Sequence, residues 1–195
     1  MNIHAIDKPM NPPRKAQPPS FSAQEFRAAL GMFATGVTVV TARGQDGGVI
    51  GLTANSFNSV SLEPPLVLFA VARKAASFDS WMSVEKFGVS VLARTQDDLS
   101  SRFARSQGEK WALVRPIFGE HDVPLMPGAL AAFECARYAV YDGGDHEIFV
   151  GRVLSLRALP AATAEPLVFF GGRYCGIGRP NAELNEMDGM LLHGW

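Results

Sequence analysis

The chain has 195 residues, 47% hydrophobic and 19% charged, with 18 Lys plus Arg against 19 Asp plus Glu for a formal net charge of −1. That length fits one domain with an arm, and the composition excludes a wholly disordered or collagen-like chain. The balanced charge, with no basic stripe, speaks against a phosphate-backbone binder, so no nucleic-acid partner is expected.

Residues 1–20 hold Pro9, Pro12, Pro13, Pro18 and Pro19 among polar residues and read as an extended arm, either a mobile tail or a strap lying on a partner subunit. Order begins at Phe21. Ser22 and Glu25 form a capping box, Phe21 and Phe26 a hydrophobic staple, and Phe26, Leu30 and Phe33 recur at helical spacing, predicting a helix up to about Ala34. From Val37 the pattern turns to β-branched runs. Val37 to Thr41 and Val49 to Thr53 flank a Gly-rich turn from Gly44 to Gly48, and Leu66 to Val71 follows Pro64 and Pro65 as a buried-type strand. Further strands are predicted over Phe87 to Ala93, Ala131 to Tyr141, Glu147 to Leu156 and Leu167 to Phe170, with short helices over Phe78 to Val84 and Asp97 to Ala104. Many strands with few marginal helices suggest a closed or nearly closed β-barrel rather than a doubly wound α/β sheet. Residues 179–195 carry no readable element.

The common catalytic signatures are missing. There is no G-x-x-x-x-G-K-[ST] loop, and Gly176-Ile177-Gly178 runs on into Arg-Pro-Asn without a G-x-G-x-x-G pattern. His146-Glu147 is followed by Val150 where a zinc protease needs its second histidine, so no metal site is expected. Cys135 and Cys175 suggest neither a disulfide framework nor a C-x-x-C site. The longest apolar stretches, such as Leu66 to Ala72, fall far short of a bilayer span, and the N-terminus has no apolar h-region. The expectation is a soluble cytoplasmic protein with no membrane partner.

Four segments stand out. Thr53-Ala54-Asn55-Ser56, continued by Ser59-Val60-Ser61, crowds small polar side chains after a strand: a close wall for a flat heteroaromatic ligand, or a turn satisfying its own backbone. Arg73-Lys74 with Ser77, entering a helix, suits either a phosphate or a solvated cap. Gly143-Gly144-Asp145-His146 delivers a histidine at a strand start, in a site or in an exposed turn. Gly171-Gly172-Arg173-Tyr174 joins two β segments and presents an arginine and an aromatic.

Taken in this order, the segments resemble the short-chain flavin reductase family, the reductase components of two-component flavin monooxygenases. The carriers are the run from Phe33 to Thr41, the N-S-F-x-S-V-S-L-x-P-P-L-V core within Gly51 to Val67, Gly144-Asp145-His146, and Pro166-Leu167 through Gly172-x-Tyr174. The resemblance implies a mainly β, FMN-binding split barrel with short peripheral helices over residues 21–178, between the arm at 1–20 and a tail at 179–195. It also implies a homodimer with the flavin, FMN or FAD, near the subunit interface, and NADH or NADPH as electron donor. Reduced flavin would then pass to a partner monooxygenase. By the same resemblance, Thr35, Gly36, Val37 and Thr38 with Thr53, Ala54, Asn55 and Ser56 would lie along the ring and ribityl chain, and Ser59, Val60 and Ser61 would continue that wall. Lys74 and Ser77 would hold the flavin phosphate, Arg102 and Phe103 would add a contact, His146 would face the nicotinamide as the catalytic residue, and Gly172, Arg173 and Tyr174 would border the same pocket. Split barrels also serve as reductases of other acceptors and as non-catalytic flavin or haem binders, but a simple binder needs no second ring site.

Overall fold

The computed structural model describes residues 19–44, 46–105 and 108–177. Helix α1 (Ala23–Leu30) leads into β1 (Thr35–Gly36), β2 (Thr38–Arg43), β3 (Val49–Ala54), β4 (Asn58–Leu62) and β5 (Pro65–Ala72). After α2 (Phe78–Met82), β6 (Lys86–Val91) and α3 (Asp97–Ala104) come the short β7 (Ile117–Phe118) and β8 (Pro124–Leu125). The long β9 (Ala131–Asp142) and β10 (His146–Ala158), then β11 (Val168–Phe170) and β12 (Arg173–Cys175), complete the chain.

The principal sheet has seven antiparallel strands in the order β3-β2-β6-β9-β10-β5-β4. Its two edge strands, β3 and β4, are consecutive in sequence and joined by residues 55–57 alone. So short a link cannot span an open seven-stranded sheet, so the sheet must curl until its edges meet. They do not zip together. β4 pairs with β5 only from Leu62↔Pro65 to Asn58↔Leu68, while β10 follows β5 to Ala72↔His146. The far half of β5 therefore has a free side facing β3, and the barrel is split there.

The inside of the curl is filled by Val40, Val71, Val89 and an aromatic group centred on Phe69, whose ring lies 5.6 Å from Trp81, 5.0 Å from Phe87 and 5.2 Å from Phe149. Each such ring, fully buried, contributes roughly 1.5–3 kcal/mol. A second cluster, Val37, Val39, Leu92, Phe103, Met126 and Leu167, seats α3 against the outer face of the sheet.

The capping box and staple of α1 form as the local pattern requires: Glu25 N–H donates to Ser22 Oγ at 3.1 Å, Ser22 N–H donates to Glu25 Oε2 at 2.7 Å, and Phe21 packs on Phe26 at 5.5 Å. The helix nevertheless stops at Leu30, short of the predicted Ala34, because Gly31 caps it and Thr35–Gly36 are drawn into pairing with β11. Its apolar face is uncovered, with Phe26, Leu30, Met32 and Phe33 all exposed. β4 is a strand where small polar residues suggested a turn, and Arg173 and Tyr174 lie on β12 rather than in the turn, which Gly171 (φ 57°) and Gly172 (φ 77°) make alone. Apart from Pro19 and Ser20, the arm and the tail expected at 1–20 and 179–195 lie outside the described residues.

Candidate active site

The split forms the candidate site. A cleft of about 1120 Å³ runs between β3 and the free half of β5, with the start of α2 at one side, the end of α3 and residues 108–112 at another, and His146 at the mouth of β10. Because both strands are unpaired there, their main chains face the cleft. Lys110 Nζ donates to Gly51 O, which puts Gly51, and by the two-residue alternation Val49 and Thr53, on the outward set of β3. Across the cleft, Ala70 N–H donates to Ser56 Oγ at 3.0 Å, so Ala70 and Ala72 are the outward set of β5. The residues between are small, so a flat ligand can approach the backbone closely.

The polar side chains divide between holding the wall and facing the cleft. Thr53 Oγ1 donates to Ser100 O in α3 at 2.6 Å, and Ser56 Oγ is taken by Ala70. Their hydroxyls brace the wall. Lys74 has no ion-pair partner among the described residues, and Ser77, at the N-cap position of α2, makes no side-chain cap hydrogen bond. Both line the cleft. Arg73, next in sequence to Lys74, turns away to the 142–147 turn. His146 Nδ1 lies 2.7 Å from Asp145 Oδ1, leaving Nε2 unengaged by that pair, and the hydrogen bond and charge of His146 hold the Asp145 carboxyl below its usual range.

Of the residues singled out by sequence, Thr53, Ala54, Asn55, Ser56, Lys74, Ser77, Phe103 and His146 line this cleft. Val37 and Thr38 are buried behind it, Thr38 Oγ1 donating to Ala54 O at 2.8 Å. Arg102 lies on α3, Ser59, Val60 and Ser61 on the edge strand β4, and Thr35 and Gly36 on β1. Gly172, Arg173 and Tyr174 belong to the β11–β12 hairpin, where Tyr174 Oη meets Ser100 Oγ at 2.8 Å. Val37, Thr38, Arg102 and the named residues of β1, β4 and the hairpin do not line the cleft.

Three of the lining residues that the sequence did not single out join the wall to α3. Gly51 lies so close to α3 that a Cβ there would stand 2.8 Å from Phe103 Cε1. Trp111 packs edge-on to Phe103 with ring centroids 4.8 Å apart. Lys110 spans 3.2 Å to both Gly51 O and Phe103 O, and burial pushes its ammonium below the usual lysine range.

A family model described as "Flavin reductase like domain" matches residues 30–178. The chain belongs to the flavin reductase family. The FMN reductase (NADH) SmoA of Agrobacterium fabrum is 45% identical over 153 residues, covering 78% of this chain and 85% of that one. The flavin-dependent monooxygenase reductase subunit HsaB of Mycobacterium tuberculosis is 40% identical over 152 residues, 78% of this chain and 81% of its own. Among solved structures, the Streptomyces globisporus NADH:FAD oxidoreductase SgcE6, in complex with NAD and FAD fragments, superposes with a TM-score of 0.75 at 41% identity, covering 82% of this chain and 94% of that one. The mainly β split-barrel architecture is that of these flavin reductases, and the implied class is an oxidoreductase. No helix among the described residues is long and apolar enough to cross a membrane.

Proposed function

We propose that this chain is an NAD(P)H:flavin oxidoreductase that reduces FMN or FAD and supplies the reduced flavin to a partner monooxygenase. The observation that carries this reading is the split itself. Two unpaired strand edges, small side chains, and a Lys74 with no ion pair among the described residues beside a Ser77 that makes no cap hydrogen bond fit a flat heteroaromatic ring with a phosphate on a polar chain. The names of the relatives, an NADH-dependent FMN reductase and an NADH:FAD oxidoreductase, support the same chemistry. When bound, the flavin supplies the ring that accepts a hydride from the nicotinamide.

The protein's part is geometric. Lys74 and the Ser77 hydroxyl take the phosphate, the first as a point charge and the second as a donor. Main-chain N–H groups of the wall from Thr53 to Ser56, braced by α3, donate to the ring where negative charge gathers on reduction. His146, at the mouth, borders the nicotinamide and holds it against the ring. No general acid or nucleophile is required.

The exposed apolar surface supports a homodimer. Phe26, Leu30, Met32 and Phe33 continue across the Gly171 N–H to Gly31 O hydrogen bond onto Phe170, a patch a monomer rarely leaves in water. A second copy seated there would bring Thr35, Gly36 and the Gly172–Arg173–Tyr174 hairpin to the interface, with Val37 and Thr38 supporting the wall from behind.

Air-free mixing of the protein with NADH or NADPH, each paired with FMN and with FAD, tests the activity. Flavin bleaching in step with nicotinamide oxidation is expected in at least one pairing. Absence of flavin-dependent oxidation in all four overturns the assignment.

A further inference from the structure

We propose that Arg73 is a positioning residue that fixes His146 for the nicotinamide, a role that rests on the reading of His146 given above. The ladder between β5 and β10 ends at Ala72↔His146 and that between β9 and β10 at Asp142↔Glu147, so the turn of residues 143–145, which carries the histidine into place, lies beyond the last strand pairs. Arg73 holds that turn and the two strand ends flanking it at four points. Its main-chain N–H donates to Asp145 O at 3.0 Å and its Nε to Gly144 O at 2.9 Å. Its Nη2 meets Asp142 Oδ2 at 3.0 Å and Glu147 Oε1 at 2.7 Å.

An isolated surface ion pair contributes little, but this guanidinium binds two carboxylates and a carbonyl on both sides of one histidine. One of those carboxylates, Glu147, has a side chain only 13% exposed. Within the turn, Gly143 N–H donates to His146 O and Gly144 N–H to Asp142 Oδ1, so fixing Asp142 and Gly144 fixes the whole loop. Arg73 itself does not line the cleft, whereas its neighbour Lys74 and the tethered His146 do. Consecutive cations thus have separate duties: Lys74 faces the ligand and Arg73 holds the turn that aims the histidine. A planar fork is needed for this, and lysine cannot reproduce it.

The test is a double-mutant cycle read with amide hydrogen exchange. In the flavin-free protein, Arg73→Gln is expected to speed exchange at residues 143–146 about tenfold or more while the core strands stay protected. In turnover, Arg73→Gln and His146→Ala should each raise the nicotinamide KM about 3- to 10-fold, with flavin Kd changed less than about twofold, and the double variant should match His146→Ala alone. Arg73→Lys should behave like Arg73→Gln. Unchanged exchange in the turn, additive effects on KM, or full rescue by Arg73→Lys overturns the role of Arg73. A raised KM in His146→Ala with none in Arg73→Gln overturns it alone. A silent His146→Ala overturns the nicotinamide reading and the proposal with it.

Discussion

The hydroxyl of Thr53 donates to the main-chain carbonyl of Ser100 at 2.6 Å, a direct bond from the cleft wall to α3. Ser100 is fully buried and passes the connection on, its own hydroxyl lying 2.8 Å from Tyr174 Oη in the β11–β12 hairpin. A side chain that looks like a ligand contact in sequence is therefore a brace, and the main chain it braces faces the cleft.

Thr53→Val keeps the shape of the side chain and removes the donor. The expected loss is about 1 kcal/mol of stability, read from the denaturant midpoint, together with weaker flavin binding read by fluorescence quenching. Thr53→Ser should restore both.

Among the described residues Lys74 forms no ion pair within 4.0 Å, so its ammonium is free to contact a phosphate in the cleft. Lys74→Met is expected to weaken FMN roughly 10- to 100-fold, the size of a lost charge-assisted hydrogen bond, and riboflavin less than about twofold. Titration calorimetry with the two flavins separates these outcomes, and equal weakening removes the phosphate assignment.

At Gly51 a Cβ would stand 2.8 Å from Phe103 Cε1 and 3.3 Å from Trp111 Cζ2. Gly51→Ala should push α3 outward, costing about 1–3 kcal/mol of stability by overpacking. Because the same shift moves the wall opposite β5, flavin affinity should fall in parallel; thermal denaturation and flavin titration on one sample check both.

Glu134 is buried, which by itself raises its pKa. The hydrogen bonds it accepts from Ser155 Oγ (2.7 Å), His121 N–H (2.8 Å) and Glu120 N–H (2.9 Å), with the nearby His121 charge, more than offset this and leave the carboxyl below its usual 4.5. A carboxyl whose pKa is lowered by folding contributes stability that is whole above its unfolded value and is lost as pH falls through the folded one. Denaturant midpoints should therefore drop below pH 4.5, and Glu134→Gln should be less stable at neutral pH and lose part of that acid dependence.

Much of the fold was legible along the chain because its signals are local. Ser22, Glu25, Phe21 and Phe26 cap α1 through contacts within five residues, and α3 runs from Asp97 to Ala104 as its acidic start and Leu99–Phe103 spacing require. The β-branched runs mark β2, β3 and β5 to within two residues. β4 was missed because Asn58, Ser59 and Ser61 are poor strand formers, paired here only because the tight turn at Glu63–Pro64 folds β5 back against them.

Motif order and residue chemistry were enough to reach the family, the barrel class and the small polar wall, since all three are written in neighbouring positions. Which groups actually meet a ligand depends on contacts between distant parts of the chain. Arg73 and Lys74 are adjacent, yet one grips a turn 69–74 positions away while the other lines the cleft. Lys110 reaches the edge of β3 only because the curled sheet leaves Gly51 O unpaired. A hydrogen-bonding group's role is set by whichever partner folding brings within 3 Å, and no local pattern specifies that partner.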